Sequence, residues 1–223
     1  MKRLDLILSL LTPGCRIADI GCDHAYIPIS AVSSGAASFA YASDVRRGPL
    51  LHAEKNVAAA GLSERIILNL ADGLDGAEQY SPDTVIIAGM GGELIADIID
   101  RAPFVKSADI KLILQPMTSQ EKLRGYLLEN GFEILSEHIA VEVRRLYQII
   151  VCSYTQKPQN YTDAELYVGR GYGDGEPAAA LYKKYIAKFE KIMKGKAESG
   201  ADAEFERRIC GELYQKYENF TAL

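Results

Sequence analysis

The chain has no tryptophan, three histidines, four cysteines and four methionines in 223 residues, and each shortage narrows what it can do. Cys15, Cys22, Cys152 and Cys210 show neither CxxC spacing nor a companion histidine at ligand distance, so no disulfide framework and no metal site is expected. Long apolar runs are missing as well. Nothing approaches the roughly 20 uninterrupted apolar residues of a membrane span. The opening MKRLDLILSLLTPG is too broken for a secretory leader, so a cytoplasmic protein without membrane contact is expected. Positive charge is not in excess: the net charge is −5, which argues against a nucleic-acid partner unless basic residues gather on one face. What is abundant is hydrophobic sequence, 48%, enough to bury one α/β core with an appendage.

Short β-rich runs alternate with helical spacing. RIADIG (16–21), SFAYASDV (38–45), RIILNLAD (65–72), DTVIIAGM (83–90) and KLILQP (111–116) read as strands. AYIPISAVSSG, RGPLLHAEKNVAAAG, GELIADIIDRA and SQEKLRGYLLENG read as the helices between them. Such alternation builds right-handed βαβ units and a parallel sheet. The rhythm then breaks, because FEILSEHIAVEV and RLYQIIVCSY leave room only for a turn near Arg144, and an antiparallel hairpin closes a mostly parallel sheet of seven strands.

Three regions are expected: a sheet domain over 1–154, an irregular connector over 155–176, and a helical unit over 177–223. In the last, Leu181, Tyr185, Phe189 and Ile192 keep helical spacing, as do Phe205, Ile209, Leu213 and Tyr217, with ESGAD as a turn between them. Two antiparallel helices in a short coiled-coil hairpin satisfy both stripes.

The first strand runs into RIADIGCDHAYIPI, which has one glycine where dinucleotide-binding turns carry several. Asp23 stands where a second glycine would sit and would repel a pyrophosphate. In a parallel sheet the ligand lies beyond the carboxyl ends of the strands, so Asp19 suits an ammonium group and Asp44 the two hydroxyls of a ribose. Asp72, beside Gly73, suits an exocyclic amino group of an adenine. In that order these acids describe S-adenosylmethionine, while each alone also reads as an ordinary cap. Gly89, Gly91 and Gly92 in IAGMGGELI leave a slot beside the donor for a methyl acceptor, or else a plain turn. Gln115 reads as a base-edge donor or a strand cap.

ADIGCDHAYIPI, ADGL, IAGMGG and LILQP, in this order, resemble the bacterial tRNA adenine N1-methyltransferase family known as TrmK, over most of residues 3–153. The resemblance implies a Rossmann-like class I fold with a helical coiled-coil appendage, S-adenosylmethionine as cofactor, and methylation of adenine N1 at tRNA position 22. The chain departs from the family at Cys22, where SDHAY is usual, and in the second-strand segment SDVRRGPL. With their motif neighbours, the expected cofactor contacts are Asp19, Gly21, Cys22, Asp23, His24, Asp44, Val45, Asp72, Gly73, Ala88, Gly89 and Met90. Asp23, His24, Met90 and Gly91 are expected at the acceptor slot, with Asp23 and His24 near the cationic product ring. His24 reads equally as a structural residue, and His52 and His138 as surface or packing groups.

A tRNA partner needs cationic surface. Lys183, Lys184, Lys188, Lys191, Lys194 and Lys196 face Glu190 alone on the first tail helix, a local +5, although a lysine-rich face is often merely solvated. Arg46, Arg47, Lys122, Arg124, Arg144 and Arg145 are further candidates to border the cofactor face. A methyltransferase acting on another RNA base, a protein or a small molecule would share every cofactor residue. A nicotinamide-dependent enzyme and a non-catalytic RNA-binding module are the remaining readings. The sequence does not give the oligomeric state, and a monomer is the favoured expectation.

Overall fold

The strands are built from Ile, Val, Leu and Ala with few side chains turned to water, which is the pattern of a parallel sheet covered on both faces. The computed structural model describes residues 1–172 and 175–221. Cys15–Ile20 (β1), Ala37–Asp44 (β2), Ile66–Leu70 (β3), Thr84–Gly91 (β4) and Lys111–Thr118 (β5) are parallel. Phe132–Glu142 (β6) and Arg145–Tyr154 (β7) form the antiparallel hairpin. Its two turn residues, Val143 and Arg144, both have positive φ, as a type I′ turn requires. The order across the seven-stranded sheet is β3-β2-β1-β4-β5-β7-β6. The winding reverses between β1 and β4, so a crevice opens beyond their carboxyl ends.

Two apolar layers sandwich this sheet. On one face Arg3–Ser9 (α1), Tyr26–Ser33 (α2) and Arg47–Ala59 (α3) set Ile7, Ala31 and Val57 against Ile17 and Ile86. On the other, Gly92–Asp100 (α4) and Gln120–Glu129 (α5) set Ile95, Ile99 and Leu127 against Val85, Ile87 and Leu112. Asp163–Val168 (α6), Glu176–Ser199 (α7) and Glu204–Thr221 (α8) enclose a third core around Leu181, Phe189, Ile209 and Leu213. That core is continuous with the sheet, since Ile139 of β6 and Leu146 of β7 pack into it.

Three expectations need correction. The opening segment, read only for a leader, is helix α1, whose Ile7 is fully buried. The connector is not wholly irregular, because Thr162 and Glu165 form a reciprocal capping box that starts α6. Phe205 is 43% exposed and lies under Arg208, while Glu206 and Cys210 turn inward with Ile209 and Leu213. No helix among the described residues is long and apolar enough to cross a membrane.

Candidate active site

A cavity of about 550 Å³ occupies the crevice, bounded by Gly21 and Asp23 after β1, Asp44 and Val45 after β2, Ala71 and Gly73 after β3, and Ala88–Met90 in β4. A side chamber of about 100 Å³ shares Gly21, Asp23 and Ala88 with it and contains Asp19 and Cys22. Another cavity, about 630 Å³ between β6, Met1 and Tyr172, holds none of these residues.

Two buried carboxylates end in this space, and they differ. Asp19 is 3% exposed, and among the described residues its carboxylate accepts no hydrogen bond. Desolvation pushes its carboxyl up to about 7. Asp44 is also buried, but its Oδ1 accepts from the Arg46 backbone N–H at 2.9 Å and from Arg46 Nε at 3.4 Å. A buried carboxylate with no donor is costly. A cationic ligand group would supply what Asp19 lacks.

The turn between these acids is fixed by backbone. Gly21 has φ +73°, and its N–H and that of Cys22 both donate to the Ser43 carbonyl of β2, at 2.8 and 2.9 Å. Met90 lies over this glycine, with its Cε 2.3 Å from where a Cβ would stand. Asp23 and Ala25 adopt positive φ, unusual outside glycine, and hold the turn open before α2 begins. Burial, followed by the neighbouring charges of Asp19 and Asp44, pushes the Cys22 thiol up, so it carries no thiolate for nucleophilic chemistry.

The IAGMGG segment is not one uniform slot. Gly89 has φ +84° and sits at a bulge where the β4–β5 register shifts between Ala88 and Met90. Gly89 and Met90 line the cavity. Gly91 does not line it and faces Thr118, and an added Cβ would lie 3.3 Å from Thr118 Oγ1. At Gly92 a Cβ would meet the Ser119 carbonyl oxygen at 2.3 Å, so this glycine serves the close approach of two backbones.

Two further expected contacts stand apart from the cavity lining. Asp72 points to Arg101, which pairs with both of its oxygens at 3.1 and 3.3 Å, leaving Ala71 and Gly73 as the wall at that end. His24 packs its ring against His52 at 5.2 Å and Tyr26 at 5.6 Å, and its carbonyl is held by Asn56. Asp23, by contrast, is exposed and lines both chambers. Lys122 and Arg124 do not border the site: Glu93 pairs with Lys122, and Arg124 is fully buried against Glu137.

Sequence reading missed Arg3. Helix α1 carries it into both chambers, where its guanidinium donates to Gln115 Oε1 at 3.0 Å. The apolar spacing of Leu4, Ile7, Leu8 and Leu11 was the available signal for that helix.

The methyltransferase-domain family matches residues 1–150, which contain the whole site. A Bacillus subtilis tRNA (adenine(22)-N(1))-methyltransferase is 30% identical over 222 residues, covering 97% of this chain and 93% of the relative. This chain belongs to the tRNA (adenine(22)-N(1))-methyltransferase, or TrmK, family. The B. subtilis TrmK crystal structure superposes with TM-score 0.75 at 27% identity, over 99% of this chain and 97% of that one. A candidate tRNA (m1A22) methyltransferase from Streptococcus pneumoniae, solved in complex with S-adenosyl-L-methionine, is 32% identical with TM-score 0.77, covering 100% of this chain and 99% of that one. The TrmK likeness thus includes the α6–α8 region as well as the sheet.

Proposed function

We propose that this chain transfers the methyl group of S-adenosylmethionine to N1 of the adenine at tRNA position 22. The observation that carries the reading is the pair of buried carboxylates, Asp19 unpartnered among the described residues and Asp44 at the end of the adjacent strand, opening into two adjoining chambers that share Gly21, Asp23 and Ala88. Relatives of near-equal length with that activity in their names supply the substrate. Bound there, the cofactor supplies a methyl group already activated by its sulfonium.

The residues present fit that cofactor. Asp19 would accept from its ammonium, Asp44 from its ribose hydroxyls, and the backbone of Ala71–Gly73 would wall its adenine end. Met90 and Gly89 wall the side from which the acceptor comes. The protein's task is alignment and exclusion of water, with no covalent nucleophile. N1 of adenine has a free lone pair only when its Watson–Crick edge is unpaired, so the target base is splayed out toward Asp23, whose carboxylate offsets the positive charge of the methylated ring. Lys188, Lys191 and Lys194 on α7 supply phosphate contacts for the body of the tRNA. The chain acts as a monomer in the cytoplasm, where tRNA and cofactor are both present.

The test is mass spectrometry of nucleosides from a tRNA transcript incubated with protein and cofactor. N1-methyladenosine should form on the transcript and vanish when adenine 22 is replaced by guanine. Methylation that persists in the replaced transcript, or none in either, would overturn the reading.

A further inference from the structure

A groove of about 700 Å³ runs between the end of β5, the β6–β7 turn and the start of α7. Arg144, Arg145 and Lys184 stand on it, and no acidic residue among the described ones lines it. Among the described residues none of these three cations enters an ion pair. Even Glu142, directly across the ladder from Arg145, makes none with it. The groove also exposes apolar surface, with Met117 at 42% and Val141 at 39%, next to the half-buried Tyr147.

The groove adjoins the cofactor cavity. Arg3, which lines that cavity, places its guanidinium carbon 5.4 Å from the Tyr147 ring centroid. Gln115, buried at the end of β5, accepts from Arg3 and donates to the Pro116 carbonyl, and Pro116 lines the groove. Arg3, Gln115 and Tyr147 therefore form a partition between the two spaces. A cationic rim over an apolar, aromatic floor matches a single-stranded polynucleotide, whose linkers are anionic and whose base faces are flat and apolar.

We propose that this groove binds the RNA strand flanking the methylated adenine, with phosphates on Arg144, Arg145 and Lys184 and a neighbouring base against Tyr147 and Met117. The inference rests on the tRNA-methylating reading and adds to it where the substrate strand runs. Splaying out one base requires its neighbours to be held, and a site one partition away from the donor does that.

The experiment uses the full chain carrying Arg144→Glu, Arg145→Glu and Lys184→Glu together, and separately Ala180→Trp, which narrows the groove without changing charge. Cofactor affinity is measured by calorimetry, and KM for a tRNA transcript across a salt series. The triple variant should bind cofactor within about twofold of the parent and raise KM by about tenfold or more. Its log–log salt slope should be shallower by roughly 2, at about 0.7 to 0.9 per lost phosphate contact. Ala180→Trp should raise KM with the slope unchanged. Parental KM and slope in a triple variant that melts normally would overturn the groove, as would parental KM in Ala180→Trp if the triple variant does not fold. Should the parent bind cofactor and methylate no tRNA, the reading of the active site fails instead. Gel-shift binding of the transcript, with and without the triple substitution, then decides the groove independently.

Discussion

At the scale of single residues the two carboxylates make different predictions. Asp44→Ala should weaken S-adenosylmethionine binding by about 1 to 3 kcal/mol, the range for hydrogen bonds to a charged group left unmade, with the melting temperature little changed. Calorimetric titration checks it, and unchanged affinity would remove Asp44 from the ribose site. Asp19 carries a pH signature instead. Its carboxyl, raised from 3.8 to about 7 by desolvation, is protonated in the free protein across the acidic range. Its contribution to stability is therefore full below about pH 4 and lost as pH rises through 7. Ligand binding has the opposite sign: an ammonium partner requires the ionised form, so affinity should rise with pH up to about 7, by at most about tenfold per unit, with a proton released. Calorimetry at pH 6 in two buffers of different ionisation enthalpy reads that proton, and Asp19→Asn should abolish it.

Secondary-structure elements place these residues, and here neighbouring glycines diverge. Gly92→Ala drives a Cβ to within 2.3 Å of the Ser119 carbonyl, where α4 starts against the backbone entering α5, so it should destabilise the fold by about 1 to 3 kcal/mol. Gly91→Ala meets only Thr118 Oγ1 at 3.3 Å, with φ −68°, and should cost less than about 1 kcal/mol. Urea denaturation of the two variants compares them directly. In the sequence these glycines looked alike. What separates them is how closely the start of α4 passes the β5–α5 junction at Ser119, a distance that no local spacing encodes.

The whole molecule is tied together by a buried polar cluster that joins the sheet to the tail. Arg124 of α5 donates to Glu137 Oε1 at 2.7 Å and Gln148 Oε1 at 2.7 Å, and also to the Leu166 carbonyl at 2.7 Å and the Tyr172 hydroxyl. Glu137 in turn accepts from the Arg170 N–H and from Tyr161. A sheet ending near Tyr154 suggests that a chain cut at residue 158 would keep an intact donor site, but such a cut strips partners from both charges and uncovers Ile139 and Leu146. The truncated chain should therefore melt well below the full one. Arg124→Ala in the full chain, which leaves Glu137 buried and unpaired, should lose about 3 to 5 kcal/mol by chemical denaturation. A truncated chain as stable as the parent would show that the tail is an independent unit.

The sequence alone determined the alternation of strands and helices, the hairpin, the turn at Gly21 and the acids Asp19 and Asp44, because period-2 and period-3.6 apolar patterns and residues at strand ends are local properties. The Thr162–Glu165 cap was equally local and equally legible, hidden only by the polar residues around it. Tertiary structure decided the rest. It turned Asp72 to Arg101 and His24 to His52, buried Arg124, and swung Arg3 from the first helix over the fourth strand to meet Gln115, 112 residues away. A side chain's partner across the fold depends on how helices pack on the sheet, and that packing sums weak contacts over the whole chain, so no short stretch of sequence specifies it.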